Sequence, residues 1–254
     1  VDAVRAPHAI VSSNTSGISL AAIAEGRSAG FRAHWLGTHF FNPPRYLRLL
    51  ELIPTADTNH AVVSAVRHFA DHRLGKGVVI ARDSPGFIGN HIGIFGMMQM
   101  LSRVASGDYS VAEVDAITGP AIGRPRSATF RTIDLAGLDV IAAVVRDLNV
   151  RLTDPEARET FVLPPLVERM LERGLTGEKA GAGFYRRVKG RSGESEIRVI
   201  DPATLDYVEL AKPAIGSLDS TRGIESIAMC FIVNRPRSEE HTSELQSRET
   251  ISYA

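Results

Sequence analysis

With 254 residues, 44% of them apolar and 23% charged, the chain can hold one large or two modest domains around a real core. Its 29 basic and 29 acidic residues cancel, which removes the electrostatic signature of a nucleic-acid or anionic-membrane binder. A single cysteine, Cys230, excludes an internal disulfide framework and fits a reducing cytoplasm.

The longest apolar stretch, Phe87 to Leu101, is interrupted by Asn90, His91 and Gln99 and is too short to span a bilayer. No charged segment followed by an apolar one opens the chain, so no signal peptide is expected. The first residue is Val1, which leaves open a missing N-terminus.

In chain order, Ala9-Ile10-Val11-Ser12 predicts a short buried strand running into the polar loop Ser13–Gly17. Loops at the carboxyl ends of strands are where α/β sheets bind ligands. Helical spacing of Ile18, Ala21, Ala22 and Ile23 puts Ser16 near a helix start, so a plain helix cap is an equal reading of that serine. Trp35 to Phe41 is a second β-prone run. Pro43-Pro44 should end it, since proline lacks an N–H and fixes φ, and the apolar run Tyr46 to Ile53 follows. If the chain reverses near Arg45, His39 and Glu51 are equidistant from the reversal and face each other. A carboxylate in that position fixes an imidazole's tautomer and raises its basicity.

Thr58 to Leu74 has helical spacing, Gly75-Lys76-Gly77 ends it, and Val78–Ala81 is the next strand. This β-β-α-β order predicts an α/β domain over residues 1–82. Ser84 and Pro85 are suited to cap and begin a helix reaching about Ala105. Ser110-Val-Ala-Glu113 is a capping-box pattern. Further helices are expected over Asp134–Leu148 and Pro164–Arg173, with no strand signal of comparable strength, so residues 84–186 read as an all-helical domain. Residues 187–236 read as a linker or the start of another module. Arg237–Ser247 and Ile251–Ala254 resemble a translated DNA-sequencing adapter; residues 237–254 are set aside as an artefact, and the chain is taken as a fragment.

Several chemistries have no support. A Gly-x-Gly-x-x-Gly turn, a Walker loop and a serine-hydrolase elbow are all missing, and His34 and His39 set no metal-ligand spacing. What remains is a polar set comprising Ser16, His39, Asn42, Glu51 and Asn90. A lone histidine in an apolar strand is more often a satisfied core residue. Glu51 is the sharper signal, because a carboxylate among Leu49, Leu50, Leu52 and Ile53 must be paired or strongly shifted in pKa.

Six motifs occur together: Ser13-Asn-Thr-Ser16, Gly37-Thr-His-Phe-Phe-Asn-Pro43, Glu51, Asp83-Ser-Pro-Gly-Phe-Ile-Gly-Asn90, Asp134-Leu-Ala-Gly-Leu-Asp139 and Lys179-Ala-Gly-Ala-Gly-Phe-Tyr185. In this order and spacing, over about residues 5–186, the chain resembles the L-3-hydroxyacyl-CoA dehydrogenases of fatty acid β-oxidation. Residues 187–230 resemble, more weakly, the link to an enoyl-CoA hydratase module in long bacterial versions.

The resemblance implies an α/β fold in which the C-terminal part of a Rossmann-type NAD-binding domain precedes a helical domain. It implies NAD-dependent oxidation of an L-3-hydroxyacyl-CoA to the 3-oxoacyl-CoA in an interdomain cleft. By the same resemblance His39 takes the hydroxyl proton, Glu51 orients the ring, Ser16 and Asn90 position the reactants, and Ser16, Asn42 and Lys179 lie near NAD. A cytoplasmic homodimer joined through the helical domain is implied too, without metal, nucleic acid or membrane span.

The family's glycine-rich first turn and ribose-binding acid would precede Val1, so the chain alone is expected to bind NAD poorly. His91 replaces a common arginine, and Gly123–Phe130 departs from the usual pattern, which leaves acyl preference and dimer contacts open. The alternatives are another two-domain hydroxy-acid dehydrogenase, disfavoured because such families often use lysine as base, and a non-catalytic crystallin-like relative.

Overall fold

The computed structural model of the protein describes residues 1–189, 194–213 and 215–216. Cys230 and the adapter-like residues 237–254 therefore lie outside the described residues. The first domain is built on a sheet ordered β1 (Val11–Ser13), β2 (Trp35–Phe40), β3 (Leu49–Pro54) and β4 (Gly77–Ile80). The outer pairs are parallel and the central pair, β2 with β3, is antiparallel.

Alternation along the strands sends Trp35 and Ile53 to one face, with Leu20, Ala24, Phe31 and Phe87, and sends Leu36, Leu50 and Leu52 to the other, with Val62 and Ala70. Burial on both faces explains why these strands read as nearly continuous apolar runs. The first of these faces is covered by α1 (Leu20–Ala24) and α2 (Ala29–Ala33), and the second by α3 (His60–Leu74). Gly75, at φ 64°, closes α3 in the left-handed conformation that a residue without Cβ adopts readily.

Two details differ from the sequence expectation. Helix α1 begins at Leu20 rather than near Ser16, because the Asp83 carboxylate accepts from the Ser19 hydroxyl (2.8 Å) and the Leu20 and Ala21 amides (3.0 and 2.9 Å). Strand β3 begins at Leu49 rather than Tyr46. The preceding turn is held by buried Lys76, whose Nζ donates to the carbonyls of Pro44 and Leu47 (2.7 Å to the latter).

The second domain packs α4 (Gly89–Ala105), α5 (Val111–Thr118), α6 (Phe130–Ala136), α7 (Leu138–Arg151), α8 (Pro155–Thr160) and α9 (Pro165–Glu172) around one core. Met98, Leu101, Phe130, Leu138, Val145 and Met170 are all sealed in it. The Ser110–Glu113 capping box starts α5.

Three expectations need correction here. Helix α4 starts at Gly89, not at Ser84–Pro85; residues 84–87 form a turn, with Gly86 and Phe87 at φ 72° and 50°. The helix read over Asp134–Leu148 is two helices broken at Gly137 (φ 98°), where the Leu138 amide turns to bond Thr176 O at 2.8 Å. In the described part of the segment read as a linker or the start of another module, residues 187–189 and 194–209 are not simply a linker. Within them and Tyr185–Arg186, β5 (Tyr185–Lys189), β6 (Ser195–Ile200) and β7 (Tyr207–Glu209) form an antiparallel sheet. Its Val199 and Ile200, with the following Leu205, enter the helical core. The domain is thus mainly, not wholly, helical.

Candidate active site

The β2–β3 register sets His39 opposite Glu51. Their side chains meet at 2.7 Å, His39 Nδ1 to Glu51 Oε2, with the residues only 3% and 1% exposed. The other carboxylate oxygen accepts from the Ile88 and Gly89 amides at 2.9 and 2.7 Å. Those are the first N–H groups of α4, which has no side-chain cap of its own. One carboxylate of the sheet therefore both orients the histidine and caps the first helix of the second domain.

Burial pushes the Glu51 carboxyl up, but the His39 hydrogen bond and the Gly89 and Ile88 amides outweigh it, so the group titrates below its ordinary value. An ionised Glu51 can only accept, so Nδ1 carries the proton and Nε2 keeps its lone pair. Among the described residues the only sealed-off side-chain polar atom without a hydrogen bond is Arg5 Nε, so His39 Nε2, which bonds to no protein atom, keeps some exposed surface. The ring is walled by Phe41 (centroids 4.6 Å apart) and Phe87 (5.5 Å).

Asn90 stands in the first turn of α4 and donates from Nδ2 to the Ser16 carbonyl at 3.1 Å. The start of α4 links two hydrogen-bonded sets into a network: its Gly89 amide bonds Glu51, which holds His39, and its Asn90 side chain bonds the Ser16 carbonyl. The hydroxyl of Ser16 itself is unbonded and exposed, as is the Asn42 amide, which stands just past β2 before a cis bond to Pro43. Both lie at the edge where the parallel strands β1 and β2 end. Lys179 is not joined to this network. It is exposed in the short turn Glu178–Ala180, which packs on α6.

The remaining family-like motifs are structural clamps. Asp134 accepts from the Phe184 and Tyr185 amides at 2.8 and 2.9 Å, and burial raises its carboxyl to about 6. A Cβ on Gly183 would come within 2.1 Å of Asp134 Oδ1, which accounts for the glycine there. Asp115 accepts the Thr129, Phe130 and Arg131 amides and the Tyr185 hydroxyl, its carboxyl also raised by burial.

Sequence reasoning missed the amides of Ile88 and Gly89, the Asp83 cap and Arg151, which donates to the Gly17 carbonyl from α7. Backbone donors carry no side-chain signal. The pair Gly86 and Gly89 around an aromatic was the available hint.

Two family models divide the chain: 3-hydroxyacyl-CoA dehydrogenase, NAD binding domain, over residues 1–84, and 3-hydroxyacyl-CoA dehydrogenase, C-terminal domain, over residues 86–187. A probable 3-hydroxyacyl-CoA dehydrogenase of Bacillus subtilis is 46% identical over 241 residues, covering 94% of this chain and 30% of that protein. One from Deinococcus radiodurans is 48% identical over 181 residues, 71% of this chain and 51% of its own length. The crystal structure of (S)-3-hydroxybutyryl-CoA dehydrogenase PaaH1 from Ralstonia eutropha superposes with a TM-score of 0.65 at 29% identity, over 72% of this chain and 62% of that one. The chain spans about half or less of the length of these two curated relatives.

Proposed function

The chain belongs to the 3-hydroxyacyl-CoA dehydrogenase family, and on that premise we propose that it carries the proton-transfer centre of an NAD-dependent oxidation of L-3-hydroxyacyl-CoA to 3-oxoacyl-CoA in fatty acid oxidation. The observation that carries this reading is the buried His39–Glu51 pair, with Nδ1 engaged and Nε2 left without a protein hydrogen bond. The substrate gives up a proton from its 3-hydroxyl and a hydride from C3. Nε2 takes the proton, while Glu51 holds Nδ1–H and stabilises the imidazolium. Proton transfer of this kind is worth about 10² to 10⁴ in rate. Ser16 and Asn90 orient the hydroxyl and carbonyl groups of the reactants, a positioning effect.

NAD, when bound, supplies the hydride acceptor. The unbonded hydroxyl of Ser16 and amide of Asn42 at the strand ends are neutral donors and acceptors, which suits a nicotinamide carboxamide and ribose hydroxyls. Lys179 is a further cofactor contact in this reading, reached from the second domain.

The same reading includes a homodimer through the helical domain and a fused module such as an enoyl-CoA hydratase. Exposed Ile88, Ile92 and Phe95 form an apolar stripe along α4, which supports the first. The 30% share of the Bacillus subtilis relative that this chain spans supports the second. Among the described residues no helix is long and apolar enough to cross a membrane; a cytoplasmic setting is part of the proposal and is supported by the single cysteine.

NADH formation by the intact protein with L-3-hydroxybutyryl-CoA and a medium-chain analogue tests the reading. It fails if neither substrate turns over, or if His39→Gln and Glu51→Gln stay within a few-fold of the parent rate. Sedimentation of Ile92→Glu against the parent tests the dimer.

A further inference from the structure

The loop that carries Ser16 is held from the second domain at two consecutive carbonyls. Asn90, at the start of α4, donates to Ser16 O, and Arg151, at the end of α7, donates from Nη1 to Gly17 O. Arg151 comes from 134 residues away in sequence, and its guanidinium also pairs with Asp147 Oδ2, one helical turn back, at 3.1 Å. That pair fixes the direction of the fork, and the Arg151 side chain is 28% exposed, partly withdrawn from solvent.

Within the loop two bonds are short-range, and a third, from the Phe40 amide to Asn14 Oδ1 at 2.9 Å, ties its entry to β2. The Thr15 amide donates to Ser13 Oγ at 3.3 Å and the Ile18 amide to Thr15 Oγ1 at 3.1 Å. Such local bonds shape a turn but do not locate it against another domain. Asn14 fixes the entry of the loop beside His39, and the Ser16–Gly17 tip beyond it is held by the two donors of the helical domain.

We propose that Arg151 is a positioning residue: it docks the helical domain on the Ser16–Gly17 turn and so sets where the Ser16 hydroxyl meets the substrate. This rests on the function proposed above. A hydroxyl that must lie within hydrogen-bond reach of a reacting group loses much of its value when displaced by about 1 Å. Arg151 bonds the Gly17 carbonyl and Asp147, so in this proposal its effect passes through the Ser16 turn.

The test uses the intact protein with Arg151→Met and Arg151→Lys, each alone and combined with Ser16→Ala. Arg151→Met should lower kcat/KM about tenfold, mainly through KM, and Arg151→Lys should recover part of that loss. In the Ser16→Ala background the further loss from Arg151→Met should shrink to within about twofold, since neighbouring groups acting through one another are not additive. Hydrogen exchange supplies a readout independent of turnover. The amides of residues 15–19 should exchange at least about fivefold faster in Arg151→Met, with the interior of α7 unchanged.

Undiminished loss in the Ser16→Ala background, a lower Tm with unchanged KM, or unaltered exchange in the loop overturns the proposal. Should the intact parent show no dehydrogenase turnover, the activity reading fails while the exchange comparison still decides whether Arg151 holds the loop.

Discussion

Glu51 Oε1 and the Gly89 amide, 38 residues apart in sequence, meet at 2.7 Å and tie the sheet to the first turn of the helical domain. Because the second oxygen of that carboxylate holds His39, the geometry of the base and the docking of the two domains share one group. A change that spares one of these functions and removes the other separates them.

Glu51→Gln is that change. The amide oxygen can still accept from Ile88 and Gly89, but the NH₂ group cannot accept from Nδ1–H, so the ring is driven to the other tautomer and Nε2 stops being a base. We expect kcat to fall by about 10² to 10⁴ with folding largely retained. Glu51→Ala should also destabilise by about 3 kcal/mol, since it leaves two helix amides and a buried imidazole unpaired. Rate assays and urea midpoints on the two variants together check both statements.

Gly89→Ala attacks the same corner by sterics. A Cβ there would lie 2.4 Å from Phe41 Cζ, and the Phe41 ring packs on His39. Since an aromatic ring cannot yield as a flexible chain end does, the ring or the helix start must move. Overpacking of this sort costs about 1 to 3 kcal/mol. We expect a drop in Tm together with at least about a tenfold loss of kcat/KM, because the shift is transmitted to the base. Normal kinetics in a folded Gly89→Ala variant would contradict the packing argument.

The β2–β3 pairing was legible because a double proline and two apolar runs leave few ways to reverse the chain, and the register followed from equal spacing about Arg45. Glu51 stood out since a carboxylate among leucines needs a reason. What stayed hidden was supplied in trans. The Asp83 carboxylate moves the start of α1, and the Glu51 carboxylate moves the start of α4 past Ser84 and Pro85, which local capping rules favoured. Gly137 looked tolerable inside a helix until the Thr176 carbonyl, distant in sequence, claimed the next amide. Ser16 and Asn90 could be named as polar outliers, but not that the amide of one would reach the carbonyl of the other.

The pH dependence of stability has opposite signs at the two buried carboxylates. Glu51 is held below its ordinary value of 4.5, so its contribution is present above that pH and is lost as the pH falls through the lower folded value. Asp134 is raised from 3.8 to about 6, so its contribution is full below the ordinary value and is lost as the pH rises through about 6. Asp115, also raised, adds to the second trend. Between pH 4.5 and about 6 the second trend dominates, and stability should decline there by about 2 kcal/mol. Urea midpoints across that window, compared with Asp134→Asn, check the sign: the decline should flatten in the variant.

The β5–β7 sheet makes a prediction about where the second domain ends. The family model stops at residue 187, yet Ile200 is 2% exposed and Leu205 4% exposed within the same core as Phe130 and Phe184. Two further bonds fasten this segment to the helical part: Arg169 to the Pro202 carbonyl at 2.8 Å, and the Tyr207 hydroxyl to the Gly183 carbonyl at 2.6 Å. If the sheet merely followed the domain, replacing its inward side chains would matter little. Since it closes the core, Ile200→Ala should destabilise by about 2 to 5 kcal/mol, the range for a buried large-to-small change. An exposed change on the same strands, such as Glu196→Ala, should stay within about 0.5 kcal/mol. Equal urea midpoints for Ile200→Ala and Glu196→Ala would show that the helices fold without the sheet.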